Sequence, residues 1–70
     1  MEPRLQLGAN LRRARKAANL TQEALAQRAE MSTSEVSRFE LGTRDPQFST
    51  MLRHARALDL PVSELVTGIR

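Results

Sequence analysis

Seventy residues suffice for one domain with a thin core, since a chain of this size buries only about 60% of its unfolded surface. With no cysteine and His54 as the only histidine, a disulfide scaffold and a zinc ribbon or finger are both excluded, so stability has to come from helix packing, with self-association as an optional addition. The formal charge is +3, and every basic residue except Lys16 is arginine, a bias that suits bidentate contacts to phosphate and guanine but follows equally from GC-rich codon usage.

The only aromatic residues are Phe39 and Phe48, too few for the stacking platforms that single-stranded nucleic acid requires. The first residues lack the apolar stretch of a signal peptide, and no apolar run approaches membrane-spanning length. A cytoplasmic protein with no membrane contact is expected. No nucleophile–base pair, phosphate-cradling glycine loop or metal-ligand cluster is visible, so no catalytic residue, metal site or cofactor is expected.

The first helical segment is predicted over 5–18, with Leu7, Leu11, Ala14 and Ala18 on one face. Arg12, Arg13, Arg15 and Lys16 crowd its second half, where cations also complement a helix C-terminus. Thr21 is a good N-cap for a second segment ending near Ala29, with Leu25 and Ala29 on a shared face. The clearest start signal is Ser32 with Glu35, a capping box, flanked by Met31 and Val36 as a hydrophobic staple. The third segment, 32–41, turns Val36, Phe39 and Glu40 inward, and Gly42 stands where a left-handed residue would end it.

Thr43, Arg44, Asp45 and Pro46 read as a loop. A fourth segment carries Phe48, Met51, Leu52, Ala55 and Leu58 on one face and stops at 59–61. A short fifth segment, 61–66, faces inward with Val62, Leu65 and Val66, and Gly68 ends it. Together with Leu60 and Ile69 these apolar residues are either core or a dimer seam. No stretch alternates with period two long enough for a strand, so the expected architecture is an all-α, compact five-helix bundle. All 70 residues are expected to form one domain, with its core over about 7–66.

Only Glu30 and Met31 separate the second segment from Ser32, so the two helices must cross steeply. The third is then left with a free face of Thr33, Ser34, Ser37, Arg38 and Leu41. Most of these are short, uncharged hydrogen-bonding side chains, able to sink into a major groove, and Arg38 can bond O6 and N7 of guanine.

The chain resembles the Cro/C1-type (XRE-family) helix-turn-helix domains. The resemblance runs from about Leu7 to Val66 and rests on an ordered set of residues. These are Leu7-Gly8 with Leu11-Arg12 and Arg15, then Leu20-Thr21-Gln22 with Leu25-Ala26, then Met31-Ser32, Ser34 and Val36-Ser37-Arg38-Phe39-Glu40 with Gly42. Pro46, Ala55, Ala57-Leu58 and Leu60 complete it. It implies a lambda-repressor-like bundle containing a helix-turn-helix, in which Thr33, Ser34, Ser37 and Arg38 read bases. It further implies that Thr21, Gln22, Thr43 and Arg44 hold phosphates, and that Arg15 and Glu40 form a structural ion pair.

The function it implies is sequence-specific binding of double-stranded DNA by a transcriptional regulator, a repressor acting as a homodimer on a two-fold operator. The alternative is a protein-interaction module of the same fold, antitoxin- or coactivator-like, whose main partner is another protein. Three positions depart from the family pattern. Glu30 stands where glycine is usual, Ala29 replaces a larger apolar residue, and His54 replaces an aliphatic one. A half-buried packing role is expected of His54.

Overall fold

The computed structural model describes residues 2–43 and 45–69, and among them five α-helices follow one another. They are α1 (Pro3–Ala17), α2 (Gln22–Ala29), α3 (Thr33–Leu41), α4 (Phe48–Ala57) and α5 (Val62–Leu65). No described residue is in a strand.

Local chemistry accounts for most helix ends. Pro3 stands at the first position of α1, where a missing N–H costs nothing, and the Glu2 carboxylate accepts from the Arg4 N–H. Thr21 Oγ1 accepts from the Ala24 N–H at 3.0 Å and opens α2. Ser32 Oγ accepts from the Glu35 N–H at 3.1 Å and opens α3. The return half of the capping box differs from the expected form: the Glu35 carboxylate accepts from the Ser32 hydroxyl at 3.3 Å. Gly42, at φ 71°, closes α3 in the left-handed region.

Glu30 also adopts the left-handed conformation, with φ 57° and ψ 49°. The tight turn therefore keeps its backbone geometry although glycine is missing, at a strain of about 1 kcal/mol or somewhat more. Asn19 and Asp59 do the same after α1 and α4. Those two residue types tolerate the region best, because a short polar side chain can bond locally.

The core is built from Leu7 and Leu11 of α1, Leu25 and Ala26 of α2, Val36 and Phe39 of α3, Ala55 of α4, and Leu58 and Leu65. Three expectations about it, for Ala18, Phe48 and the inward-facing Val66, need correction. Ala18 is exposed, because it caps α1 at the start of the joint to α2. Phe48 is 64% exposed, because α4 begins there, before the helix has come over the core. The C-terminal apolar residues are mostly core: Leu65 is fully buried, and Leu60, Val62 and Ile69 pack against the cluster, while Val66 stays exposed.

Two buried polar residues of the core, Asn10 and His54, stand at positions to which helical periodicity assigned nothing. Asn10 Nδ2 donates to the carbonyls of Leu65 and Thr67, each at 2.8 Å, and so ties α1 to the end of α5. Its Oδ1 accepts from Gln6 at 2.9 Å. His54 is not half-buried but wholly enclosed, its ring tilted against Phe39 at 4.5 Å between centroids. Its Nδ1 donates to the Thr50 carbonyl at 2.8 Å, which leaves Nε2 as a buried lone pair without a partner.

Gly8 sets the distance between α1 and α3. A Cβ added there would lie 2.5 Å from the carbonyl oxygens of both Phe39 and Glu40. Those are backbone atoms, which cannot rotate aside. Gly8→Ala is expected to destabilise the fold by about 1–3 kcal/mol through overpacking, read as a lower urea midpoint. An unchanged midpoint would show that the two helices can separate freely.

His54 also predicts a pH dependence. Burial holds its pKa below the ordinary 6.5, against the opposing pull of the Thr50 hydrogen bond and the Glu40 and Glu35 charges. Above pH 6.5 both folded and unfolded chains keep the ring neutral. As the pH falls below that value the unfolded chain takes up a proton that the folded one refuses, so stability falls until the folded pKa is reached. Urea unfolding between pH 7 and about 5.5 should show this slope, and His54→Leu should flatten it.

Candidate nucleic-acid interface

The feature that fixes the site is an ion pair behind it. Arg15 of α1 donates from Nε to Glu40 Oε2 at 2.6 Å and from Nη2 to Glu40 Oε1 at 3.1 Å. The two side chains are only 10% and 4% exposed. Its remaining nitrogen, Nη1, donates to the Leu20 carbonyl at 2.8 Å, in the joint between α1 and α2. The Glu40 carboxylate also accepts from Gln22 Nε2 at 3.2 Å, so the first residue of α2 is joined to the last turn of α3. The hydrogen bond to Glu40 holds the Arg15 pKa above its ordinary value, against the opposing effect of burial.

This clamp presses one side of α3 against α1 and α2, with Val36 and Phe39 buried between them. Thr33, Ser37 and Arg38 stay partly exposed, and Ser34 is exposed. The four share the outward side of the helix, as the i,i+4 spacing predicts. Ser34 is also held 3.4 Å from the Ser32 hydroxyl, beside the cap of α3. Leu41 is 62% exposed at the far end.

Arg38 stands differently from Arg15. It lines a cleft of about 230 Å³ with Glu35, Phe39, Asp45, Pro46, Gln47 and Thr50. No ion pair forms to it among the described residues, and its Nε is buried without a partner. An unmet buried donor of this kind costs about 1–3 kcal/mol.

The expected phosphate-binding residues are distributed around α3. Thr21 is exposed at the start of α2, its hydroxyl already engaged in capping. Gln22 is half-buried, with its amide turned to Glu40. Thr43 is exposed beyond α3, and its hydroxyl donates to the Arg38 carbonyl at 3.2 Å. Arg44 lies outside the described residues. Its neighbour Asp45 is 3.4 Å from Arg4 Nε, so the start of α1 borders the same loop.

Two residues that matter here escaped the sequence. Asn10 gave no periodic signal, because an isolated polar residue beside an apolar stripe reads as surface. Arg4 gave none either, since its contact to Asp45 spans the fold.

The family profile described as "Helix-turn-helix domain" matches residues 6–67. The chain belongs to the Cro/C1-type helix-turn-helix family. A Bacillus subtilis protein described as an uncharacterized HTH-type transcriptional regulator, YqaE, is 30% identical over 59 residues. That match takes in 84% of this chain and 51% of the relative, so the chain spans about half the length of that protein. The restriction-modification controller protein C.AhdI from Aeromonas hydrophila superposes with a TM-score of 0.85 at 36% identity, covering 87% of this chain and 92% of that one. The P22 c2 repressor, solved in complex with a synthetic operator, superposes at 0.79 with 26% identity, over 89% and 94% of the two chains. These relatives are described as a transcriptional regulator, a controller protein and a repressor, and the all-α, lambda-repressor-like bundle is shared with the two solved structures. No described helix of this family member is long and apolar enough to cross a membrane.

Removing Glu40 strands the Arg15 charge in the core and releases Gln22. Glu40→Ala is expected to cost about 3–5 kcal/mol in urea unfolding. A loss below about 1 kcal/mol would mean that Arg15 reaches solvent or another acceptor.

Proposed function

We propose that this chain binds duplex DNA sequence-specifically, with α3 lying in the major groove and Thr33, Ser34, Ser37 and Arg38 facing base edges. The observation that carries the reading is the outer face of α3. It offers short hydroxyl side chains and one guanidinium with no ion pair among the described residues, on a helix clamped from behind by a buried ion pair. A rigid helix with a hydroxyl-rich face can approach base edges closely, and Arg38 can bond guanine in a bidentate way. Thr21, Gln22, Thr43 and Arg44 hold the phosphates on either side, the first two at a helix N-terminus that favours anions.

The chain acts as a single domain, as a dimer on a two-fold operator with half-sites about one helical turn apart, and represses transcription. The P22 c2 repressor complex with its operator supports this reading by likeness. The short α5 and the exposed Val66 just beyond it offer little surface for dimerisation, so pairing depends on the DNA as well.

Selection from a random duplex pool tests the whole reading: a palindromic winner is expected, and failure to enrich any sequence overturns it. On that operator, Arg38→Ala should cost about 1–3 kcal/mol and relax preference at one base pair. Equal weakening on all sequences would make Arg38 a phosphate contact. Gln22→Ala should weaken binding across sequences, and loss of preference at one base pair would contradict its assignment.

A further inference from the structure

The turn end of α2 and the last turns of α4 enclose a second cleft, of about 310 Å³, lined by Arg28, Ala29, Glu30, Arg53, Arg56 and Ala57. Its three arginines are exposed, and among the described residues none has an ion pair or a side-chain hydrogen bond. Arg4, Arg13 and Arg15, by contrast, all have side-chain partners. The cleft stands at the opposite end of α2 from Thr21 and Gln22, about 12 Å away for a helix of eight residues. Arg28 and Arg56 complement the C-terminal dipoles of α2 and α4, but Arg53 lies in the interior of α4 and has no such role.

We propose that this cleft is a docking site for an acidic protein segment, separate from the DNA-reading face and independent of the function proposed above. Charge complementarity is the first argument: three guanidiniums face a single carboxylate, that of Glu30. The second is the kind of anion the cleft favours. Two helix C-termini meet here and carry partial negative charge, and Glu30 stands among the lining residues. That background disfavours the concentrated charge of a phosphate more than the single charges of separate carboxylates. Carboxylates on short stems reach the guanidiniums one at a time, in bidentate pairs, while the peptide's N–H groups face the helix ends. Ala29 and Ala57 are the small apolar residues of the lining.

The test is an amide NMR titration of the protein with a synthetic peptide of glutamate and alanine, with inorganic pyrophosphate and the selected operator duplex as comparators. Shifts are expected at Ala29, Glu30 and Ala57 with the peptide and not with the other two. Arg53→Glu combined with Arg56→Glu should weaken the peptide about tenfold or more, while operator affinity stays within about twofold. If the double reversal perturbs folding, Arg53→Ala alone reads out the same loss. Peptide shifts confined to α3, equal or stronger shifts with pyrophosphate, or an operator affinity that falls as far as the peptide's would each overturn the proposal.

Discussion

The Arg15–Glu40 pair is the constraint on which the remaining geometry depends. Both charges are taken out of water, and neither could remain there alone, since an unpaired buried ion costs several kcal/mol. The requirement is met by shape. The planar guanidinium spans both carboxylate oxygens and still has a nitrogen for the Leu20 carbonyl. One side chain thereby joins α1, the joint to α2 and the last turn of α3. Through Gln22 the same carboxylate reaches the first residue of α2, so the two helices of the helix-turn-helix are braced at their open end as well as at the turn.

α1 and α3 lie closer than a side chain at position 8 would allow, because Gly8 packs against the carbonyls of Phe39 and Glu40. Behind the same helix, Phe39 rests on the buried ring of His54. The histidine fills the space of an aliphatic residue but brings two nitrogens, one satisfied by Thr50 and one left bare. The helix that faces outward is thus held by an ion pair at one point and by a pH-sensitive ring contact at another. Asn10 likewise ties the end of α5 to α1, satisfying the carbonyls of Leu65 and Thr67.

Arginine serves several ends here, and only the fold separates them. Arg15 is a buried strut. Arg38 lies in the cleft beside α3 with an unmet donor. Arg28, Arg53 and Arg56 gather at the opposite end of α2. In the sequence all are members of one basic composition, equally explained by codon usage.

What the sequence by itself determined was the set of local structures. Thr21 and Ser32 announce helix starts because a short hydroxyl side chain can reach the amide three residues on, and Gly42 announces an end because it alone has no Cβ to clash at positive φ. Helical spacing likewise separated Val36 and Phe39 from Thr33, Ser34, Ser37 and Arg38. The family pattern in those residues supplied the bundle and the expected roles. Tertiary structure alone decided what depends on residues far apart in the chain. It turned Phe48 outward and enclosed His54, because the angle at which α4 crosses the core is no property of α4. It gave Asn10 its carbonyls 55 and 57 residues away. It held Glu30 in a left-handed conformation against its own preference, because α2 and α3 both pack on the core and the turn must follow them. Above all it assigned the arginines, since a guanidinium's role is set by what surrounds it, and spacing carries no record of that.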